Sequence, residues 1–137
     1  MSRLNKKFIF YIIMFLIIFS SIYYYCYFYT MMLLPKGDLF YSSNSPNKVY
    51  VFNAYISGGG ATSGSCVRGE IINTKTLKKR NIYWDYYLNM VKVKWINNES
   101  LIINNKKINN INIDYYDFRE DVNYNQDYNY EHFFNVE

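Results

Sequence analysis

Histidine and cysteine are almost missing from this chain, which has one His and two Cys in 137 residues. Zinc sites draw on clusters of Cys and His, and a Ser-His-Asp relay needs a histidine held between its partners, so both enzyme classes are set aside for want of residues. Two Cys cannot build a disulfide scaffold. Two Pro and six Gly are too few for a collagenous or linker-like chain. Charge is missing over one long stretch, because no Asp, Glu, Lys or Arg stands between Phe8 and Leu34. What the chain has in quantity is aromatic side chains, 17 Tyr and 10 Phe, which oppose disorder through most of its length. That length allows one folded domain at most.

The uncharged stretch reads as a membrane anchor. Phe8 to Phe19 is apolar or aromatic at every position, and about 20 such residues at 1.5 Å rise cross the roughly 30 Å hydrocarbon layer. Ile, Leu and Phe each favour insertion by about 0.3 to 0.6 kcal/mol, which together outweighs the small penalties of Ser20 and Ser21. Arg3, Lys6 and Lys7 precede the stretch, while Lys36 and Asp38 cancel beyond it, so the charge bias holds the N-terminus in the cytoplasm. Tyr23, Tyr24, Tyr25, Tyr27 and Tyr29 crowd the far end as an aromatic belt. A cleaved signal peptide shares the basic start and apolar run, but a small-x-small cleavage site is missing. Cys26 comes after three tyrosines where a lipidation site needs Leu and small residues. The expected layout is a cytoplasmic N-terminus over 1–7, an anchor over 8–34, an extracytoplasmic β domain over 35–122 and an acidic, Asn- and Tyr-rich tail over 123–137.

Removing the anchor changes the charge balance. Without Arg3, Lys6 and Lys7 the 15 basic residues fall to 12 against 11 acidic ones. Residues Lys36 to Lys107 hold 11 basic and 4 acidic residues, whereas Ile108 to Glu137 holds Arg119 and 7 acidic ones. A basic body of this kind suits acidic polymers or phosphates, with its own acidic tail as a competitor.

The fold class expected is mainly β, a transmembrane helix and then a small antiparallel β-meander. Tyr50, Phe52, Ala54 and Ile56 alternate with more polar neighbours and define one apolar face. Ser45-Pro46-Asn47-Lys48 before them carries turn chemistry. A second strand is expected over Cys66–Asn73, a turn over Thr74–Lys79, and a third strand over Arg80–Tyr86 with Ile82, Trp84 and Tyr86 on one side. Val91, Val93 and Trp95 alternate with Lys92 and Lys94 in a fourth. Leu101–Ile103, a turn over Asn104–Lys107 and Ile108–Ile113 complete the pattern as a terminal hairpin. A short helical turn is expected around Tyr116–Val122, and Trp84, Trp95 and the tyrosines are expected to supply much of a modest core.

No constellation rises to a catalytic site. The loop from Ser57 to Gly64 offers backbone N–H groups in the manner of a phosphate cradle, but it lacks Gly-Lys-Ser/Thr and no helix comes after it. It is a long loop close to Arg68, so Gly58, Gly59 and Gly60, with the same-face pair Arg68 and Glu70, are the candidate interaction residues. Asp114, Asp117, Glu120 and Asp121 match no calcium loop, His132 stands alone in the tail, and Cys66 has no histidine to activate it. Lys78, Lys79, Arg80, Lys92 and Lys94 lie beside aromatic residues as in a single-strand platform, yet the alternation puts Lys92 and Lys94 opposite the aromatics, and nucleic acid is set aside. No cofactor and no metal site are expected.

The order of motifs carries a resemblance. Ser45-Pro46-Asn47, Asn53-Ala54-Tyr55, Gly59-Gly60-Ala61-Thr62, Val67-Arg68-Gly69-Glu70, Ile82-Tyr83-Trp84, Val93-Lys94-Trp95, Ile102-Ile103-Asn104 and Tyr116-Asp117-Phe118-Arg119 stand in sequence after a basic N-terminus and a membrane segment. The chain resembles an uncharacterised family, a domain of unknown function, of small membrane-anchored or lipoprotein-like proteins of Gram-positive bacteria. The resemblance implies no activity and no catalytic residues. The expectation is a bitopic membrane protein that is not an enzyme. Its partners are the lipid bilayer through the N-terminal helix and an unknown protein or envelope component through the β domain. The alternatives are an accessory subunit of a membrane complex and a cell-envelope enzyme.

Overall fold

A computed structural model describes residues 3–58, 64–86 and 90–124. The chain divides into two units, Met1–Leu33 and Leu34–Glu137. The first is essentially one helix, α1 (Arg3–Tyr29). Its stretch Asn5–Tyr29 has a mean hydropathy of 2.1, and this is the one helix among the described residues long and apolar enough to cross a membrane. Apolar side chains stand exposed around its whole circumference, Phe8 and Phe15 at 66% and Ile17 at 60%. Near its end rings meet at i,i+4 spacing, Tyr24 tilted against Phe28 at 4.5 Å and Tyr25 stacked on Tyr29 at 5.6 Å. The helix ends five residues short of the expected boundary at Leu34. Thr30 succeeds its last turn and donates its hydroxyl to the Cys26 carbonyl at 2.6 Å.

The second unit is mainly β. Strands β1 (Asp38–Asn44), β2 (Tyr50–Gly58), β3 (Ser65–Asn73) and β4 (Lys79–Tyr86) form the antiparallel meander. Strands β5 (Val93–Trp95), β6 (Leu101–Ile103) and β7 (Lys106–Ile108) form a separate three-stranded antiparallel sheet. The chain then returns to the first sheet, where β8 (Tyr116–Asp117) pairs parallel with β4, ahead of a 3-10 turn at Phe118–Glu120. The first sheet has the order β1-β2-β3-β4-β8.

The alternation expected for β2 holds, with Phe52 and Ala54 fully buried. Their partners across the ladder are Ile71 and Gly69, and Val67 lies opposite Ile56, so these side chains share one face. Gly69 matters here for close approach. A Cβ at that position would lie 2.6 Å from the Phe52 ring and 2.8 Å from the Cβ of Tyr83. Only a hydrogen lets both aromatic side chains close over β3. Leu101, Ile103, Ile108 and Ile111 from the smaller sheet and the turn after it complete the same buried cluster.

Several expected boundaries move, each for a local reason. Strand β1 has no counterpart among the expected strands, because Asp38–Asn44 is an edge strand with most of its side chains exposed, which leaves no apolar alternation to detect. On β4 the register slips between Gly69 and Glu70, so that Tyr83 faces Gly69 while Asn81 faces Glu70 and Ile82 is the extra residue. The bulge puts Ile82 and Tyr83 in the same core and sends Trp84 and Tyr86 to the opposite face, where they meet Arg68 and Cys66 across the ladder. The second hairpin turns at Asn104 and Asn105 alone, both with positive φ (44° and 65°) as a type I′ turn requires. Strand β7 therefore starts at Lys106, and Ile111–Ile113 is a turn instead of a strand. There the Asn110 carbonyl accepts from Ile113 and Asp114 N–H at 3.1 and 2.8 Å. Asn and Asp side chains also offer local acceptors that compete with a ladder. Trp84 is buried at 6% exposure, and Trp95 packs half-buried against the core. The short helical turn falls within the expected stretch. The tail from residue 125 onward, including His132, lies outside the described residues.

Gly69→Ala is expected to destabilise the β unit by about 1 to 3 kcal/mol, the usual cost of overpacking a filled core. Urea unfolding of the detergent-solubilised full chain measures it; an unchanged midpoint would show that the Phe52 and Tyr83 rings yield freely.

Candidate functional site

Three polar clusters stand out from the apolar framework. The first contains the charge pair read from the sequence. Two residues apart on β3, Arg68 and Glu70 share a face, and Arg68 Nη1 meets Glu70 Oε2 at 3.2 Å. The same nitrogen donates to Asn81 Oδ1 at 2.8 Å, and Nη2 donates to the Lys36 carbonyl at 3.0 Å. The guanidinium lies 4.2 Å over the Tyr55 ring, whose hydroxyl donates to Glu70 Oε1 at 3.2 Å. Arg68 is 8% exposed, and its Nε–H is buried without a partner. The cluster ties the chain entering β1 to the centre of the sheet. Gly37 makes that path possible with a φ of +62°, since a Cβ there would lie 2.5 Å from the Ile56 carbonyl oxygen. Gly58 ends β2 opposite Ser65, three positions beyond the rung that joins Tyr55 to Arg68, or about 10 Å along the strand. Gly59 and Gly60 lie outside the described residues.

The second cluster joins the two sheets. The Tyr83 hydroxyl donates to Asp85 Oδ2 at 2.7 Å and accepts from Asn104 Nδ2 at 3.2 Å. Asp85 Oδ1 accepts from the Tyr86 N–H at 2.8 Å. Asn104 Oδ1 accepts from the Lys92 N–H at 2.7 Å, linking the network to the approach to β5. The Tyr83 ring stacks on Tyr116 at 5.5 Å, Lys106 lies over Tyr116, and Lys106 pairs with Asp121 at 2.8 Å. Burial raises the Asp85 carboxyl above its ordinary range, and burial, then the nearby Asp85, raises the Tyr83 phenol well above its own. Burial with Asp85 also pushes the Cys66 thiol up to about 11. A thiol so held is protonated near neutral pH and is a poor nucleophile. Asp121 moves the other way, held below the ordinary carboxylate range by its bonds from Lys106 and Tyr116.

The acidic residues between Asp114 and Asp121, whose spacing matches no calcium loop, have separate partners. Asp114 accepts from the Asn110 N–H at 2.9 Å, Asp117 pairs with Arg119, and Glu120 accepts from the Tyr115 hydroxyl. Among the described residues no three His, Cys, Asp or Glu gather as metal ligands.

The third cluster is a cleft of about 270 Å³ at the end of the meander, lined among others by Asn73, Thr76, Lys78, Lys79, Arg80 and Asn112. Arg80 faces the core side opposite Ile71 and anchors the wall, donating to the carbonyls of Ile111, Ile113 and Asp114 at 2.9, 2.5 and 2.6 Å. Burial lowers its pKa, an effect that Asp114 opposes. Asn73 Oδ1 accepts from the Lys75 and Thr76 N–H groups, both at 3.0 Å, which closes the β3–β4 turn. Lys78 to Arg80 are visible in the sequence as a basic run. That they border a concave site depends on the 110–114 turn folding over the sheet, for which the sequence holds no signal beyond its Asn and Asp content.

A protein-family model described as "Family of unknown function (DUF5412)" matches residues 4–121, and the chain belongs to that family. The match takes in α1 together with the β strands. No curated protein and no solved structure matches the chain.

Asp85 supplies a test of the sheet junction. Because its carboxyl is raised in the native state, the folded chain binds that proton more tightly than the unfolded one. Its contribution is therefore fully present below the ordinary aspartate value of about 4 and is lost as pH rises through the native value. Asp121 has the opposite sign, stabilising above its unfolded value and losing that on acidification. Asp85→Asn is expected to remove the decline on the alkaline side and keep the acid limb. Urea midpoints measured across the acid to neutral range check this; parallel curves for variant and parent would refute it.

Proposed function

We propose that this member of a family of unknown function is a bitopic membrane protein that carries a mainly β binding module outside the cell membrane, with its N-terminus in the cytoplasm. The observation that carries the reading is α1. Its 25-residue stretch at mean hydropathy 2.1 holds no buried residue and leaves large apolar side chains such as Phe8, Phe15 and Phe19 exposed. Each large apolar side chain left in water forgoes about 1.5 to 3 kcal/mol. The hydrocarbon layer removes that cost, and a helix satisfies its own backbone hydrogen bonds there. Arg3, Lys6 and Lys7 on one side, against the cancelling Lys36 and Asp38 on the other, orient it. The tyrosine stacks fall at the end of the helix that reaches the outer headgroup zone in this orientation.

Binding is preferred to catalysis for chemical reasons. The Cys66 thiol is raised to about 11, the Asp85 carboxyl is 3% exposed, and the Arg68–Glu70 pair is occupied by Tyr55, Asn81 and the Lys36 carbonyl. A nucleophile needs a neighbouring base or a lowered pKa, and the Cys66 thiol is raised instead. The side chains that line the cleft include lysines, amides and a threonine hydroxyl, a set suited to binding anions.

Alkaline carbonate extraction of cell membranes is expected to leave the full chain in the pellet. In a Cys26→Ala, Cys66→Ala background, Lys75→Cys is expected to react with a membrane-impermeant maleimide on intact cells, since Lys75 lies in an exposed turn. Release by carbonate would rule out the anchor, and labelling only after lysis would reverse the orientation.

A further inference from the structure

The β1–β2 and β3–β4 turns lie side by side at the end of the first sheet. Thr74 N–H donates to the Val49 carbonyl at 2.8 Å, and the Thr74 hydroxyl meets the Lys48 carbonyl at 3.2 Å. This contact joins the turns that carry Lys48 and Lys75, and Lys78 leads directly from the second of them into β4 with Lys79 and Arg80. The basic end is the opposite end of β1 from Asp38, where the chain enters the sheet. Two acids lie close by. Glu99 sits on the loop whose carbonyl accepts from Ile111 N–H, and Asp114 is engaged with Asn110.

The lining of the cleft is one-sided in its chemistry. Every charged residue that lines it is basic. Among the described residues, ion pairs are made by Arg68, Lys106 and Arg119, and by none of Lys78, Lys79 or Arg80. Arg80 gives its hydrogen bonds to neutral carbonyls, so its orientation is fixed while its charge has no contacting carboxylate. Asn73 is oriented too. Its Oδ1 is occupied by two backbone N–H groups, which leaves its amide N–H₂ as the part still able to bond. Lys78, Lys79 and Arg80 line the cleft together with the oriented Asn73 amide and Thr76, so its border is donor-rich and positively charged. A group with several acceptor oxygens and net negative charge satisfies them best, and Lys binds phosphate as a point charge.

We infer that the cleft bordered by Asn73, Thr76, Lys78, Lys79 and Arg80 is a binding site for a phosphate group, carried by a soluble phosphate ester or by a lipid headgroup. Lys78 and Lys79 supply the mobile charges, Asn73 and Thr76 the directed donors, and Arg80 holds the wall against which they close. This names the ligand class of the binding module proposed above and rests on that reading for its biological setting. The binding itself is a property of the β unit.

The test uses the full chain reconstituted in phosphatidylcholine nanodiscs, titrated calorimetrically at constant ionic strength with inorganic phosphate and with glycerophosphoglycerol, a phosphodiester headgroup without acyl chains. Saturable binding of at least one probe is expected. It should weaken at least tenfold in the Lys78→Gln, Lys79→Gln variant and less than threefold in Lys92→Gln, Lys94→Gln, which removes the same charge from β5 and its approach. Both pairs are exposed, so circular dichroism should match the parent in each case. A preference for inorganic phosphate assigns the soluble source, and a preference for the phosphodiester assigns the headgroup. Absence of binding, or equal weakening by the two variants, overturns the site. The maleimide result stands apart: binding with reversed labelling would remove the extracytoplasmic reading and keep the site, whereas outward labelling without binding would do the opposite.

Discussion

The phenol of Tyr83 holds the two sheets of the β unit together. The residue is fully buried, its Cβ lies with the Phe52 ring over the bare Cα of Gly69, and its own ring stacks on Tyr116. Its hydroxyl joins Asp85 on its own strand to Asn104 in the turn between β6 and β7. A buried hydroxyl and a buried carboxylate are costly alone and acceptable once bonded to each other. Their two-residue spacing puts them on one face of β4, the bulge at Ile82 turns that face to the core, and the absence of a side chain at position 69 lets the Tyr83 side chain come down over β3. The smaller sheet presents few strand residues of its own, so this polar junction and the Leu101, Ile103 and Ile108 contacts specify where it docks.

Two arginines do comparable work at opposite faces of the first sheet, and their surroundings differ in a way that bears on function. Arg68 is enclosed, with a carboxylate, an amide, a carbonyl and an aromatic ring around its guanidinium. Its charge is compensated internally, and its effect is to secure the chain entering β1. Arg80 gathers three carbonyls of the 110–114 turn and keeps its charge uncompensated by contact. Buried ion pairs tend to specify geometry more than they add stability. The unpaired basic end, by contrast, leaves a field for a ligand to neutralise.

Legibility in the residues varies from element to element. Strand β2 and the Lys92/Lys94 alternation are legible because one face is buried and the other wet, which writes a period of two into the residues. The apolar helix α1 is legible from its unbroken apolar run. Strand β1 is not, since an edge strand is held by backbone hydrogen bonds that any side chain permits. The third strand is located correctly by its pattern but its faces are exchanged beyond the bulge, because a single extra residue inverts every later side chain. Among candidate site residues, Arg68 and Glu70 meet as their two-residue spacing requires. That spacing does not reveal that Lys36, Asn81 and Tyr55 enclose them. The basic run at Lys78–Arg80 is plain in the residues, but the cleft exists only once the Asn110–Asp114 turn packs over it.

By itself the order of residues determined the apolar helix with its charged approach and tyrosine end, the mainly β character of the rest of the chain, and the shared face of Arg68 and Glu70. These are short-range properties, set by hydropathy, by strand period and by turn chemistry within a few positions. The tertiary structure alone decided that the strands separate into two sheets, that β8 returns parallel to β4, and that the Asn110–Asp114 turn closes a cleft beside Lys78, Lys79 and Arg80. Those outcomes rest on contacts between residues tens of positions apart, such as Arg80 with the Ile111, Ile113 and Asp114 carbonyls and Tyr83 with Asn104. No local pattern encodes such contacts, because each partner acquires its role only when the other is brought against it.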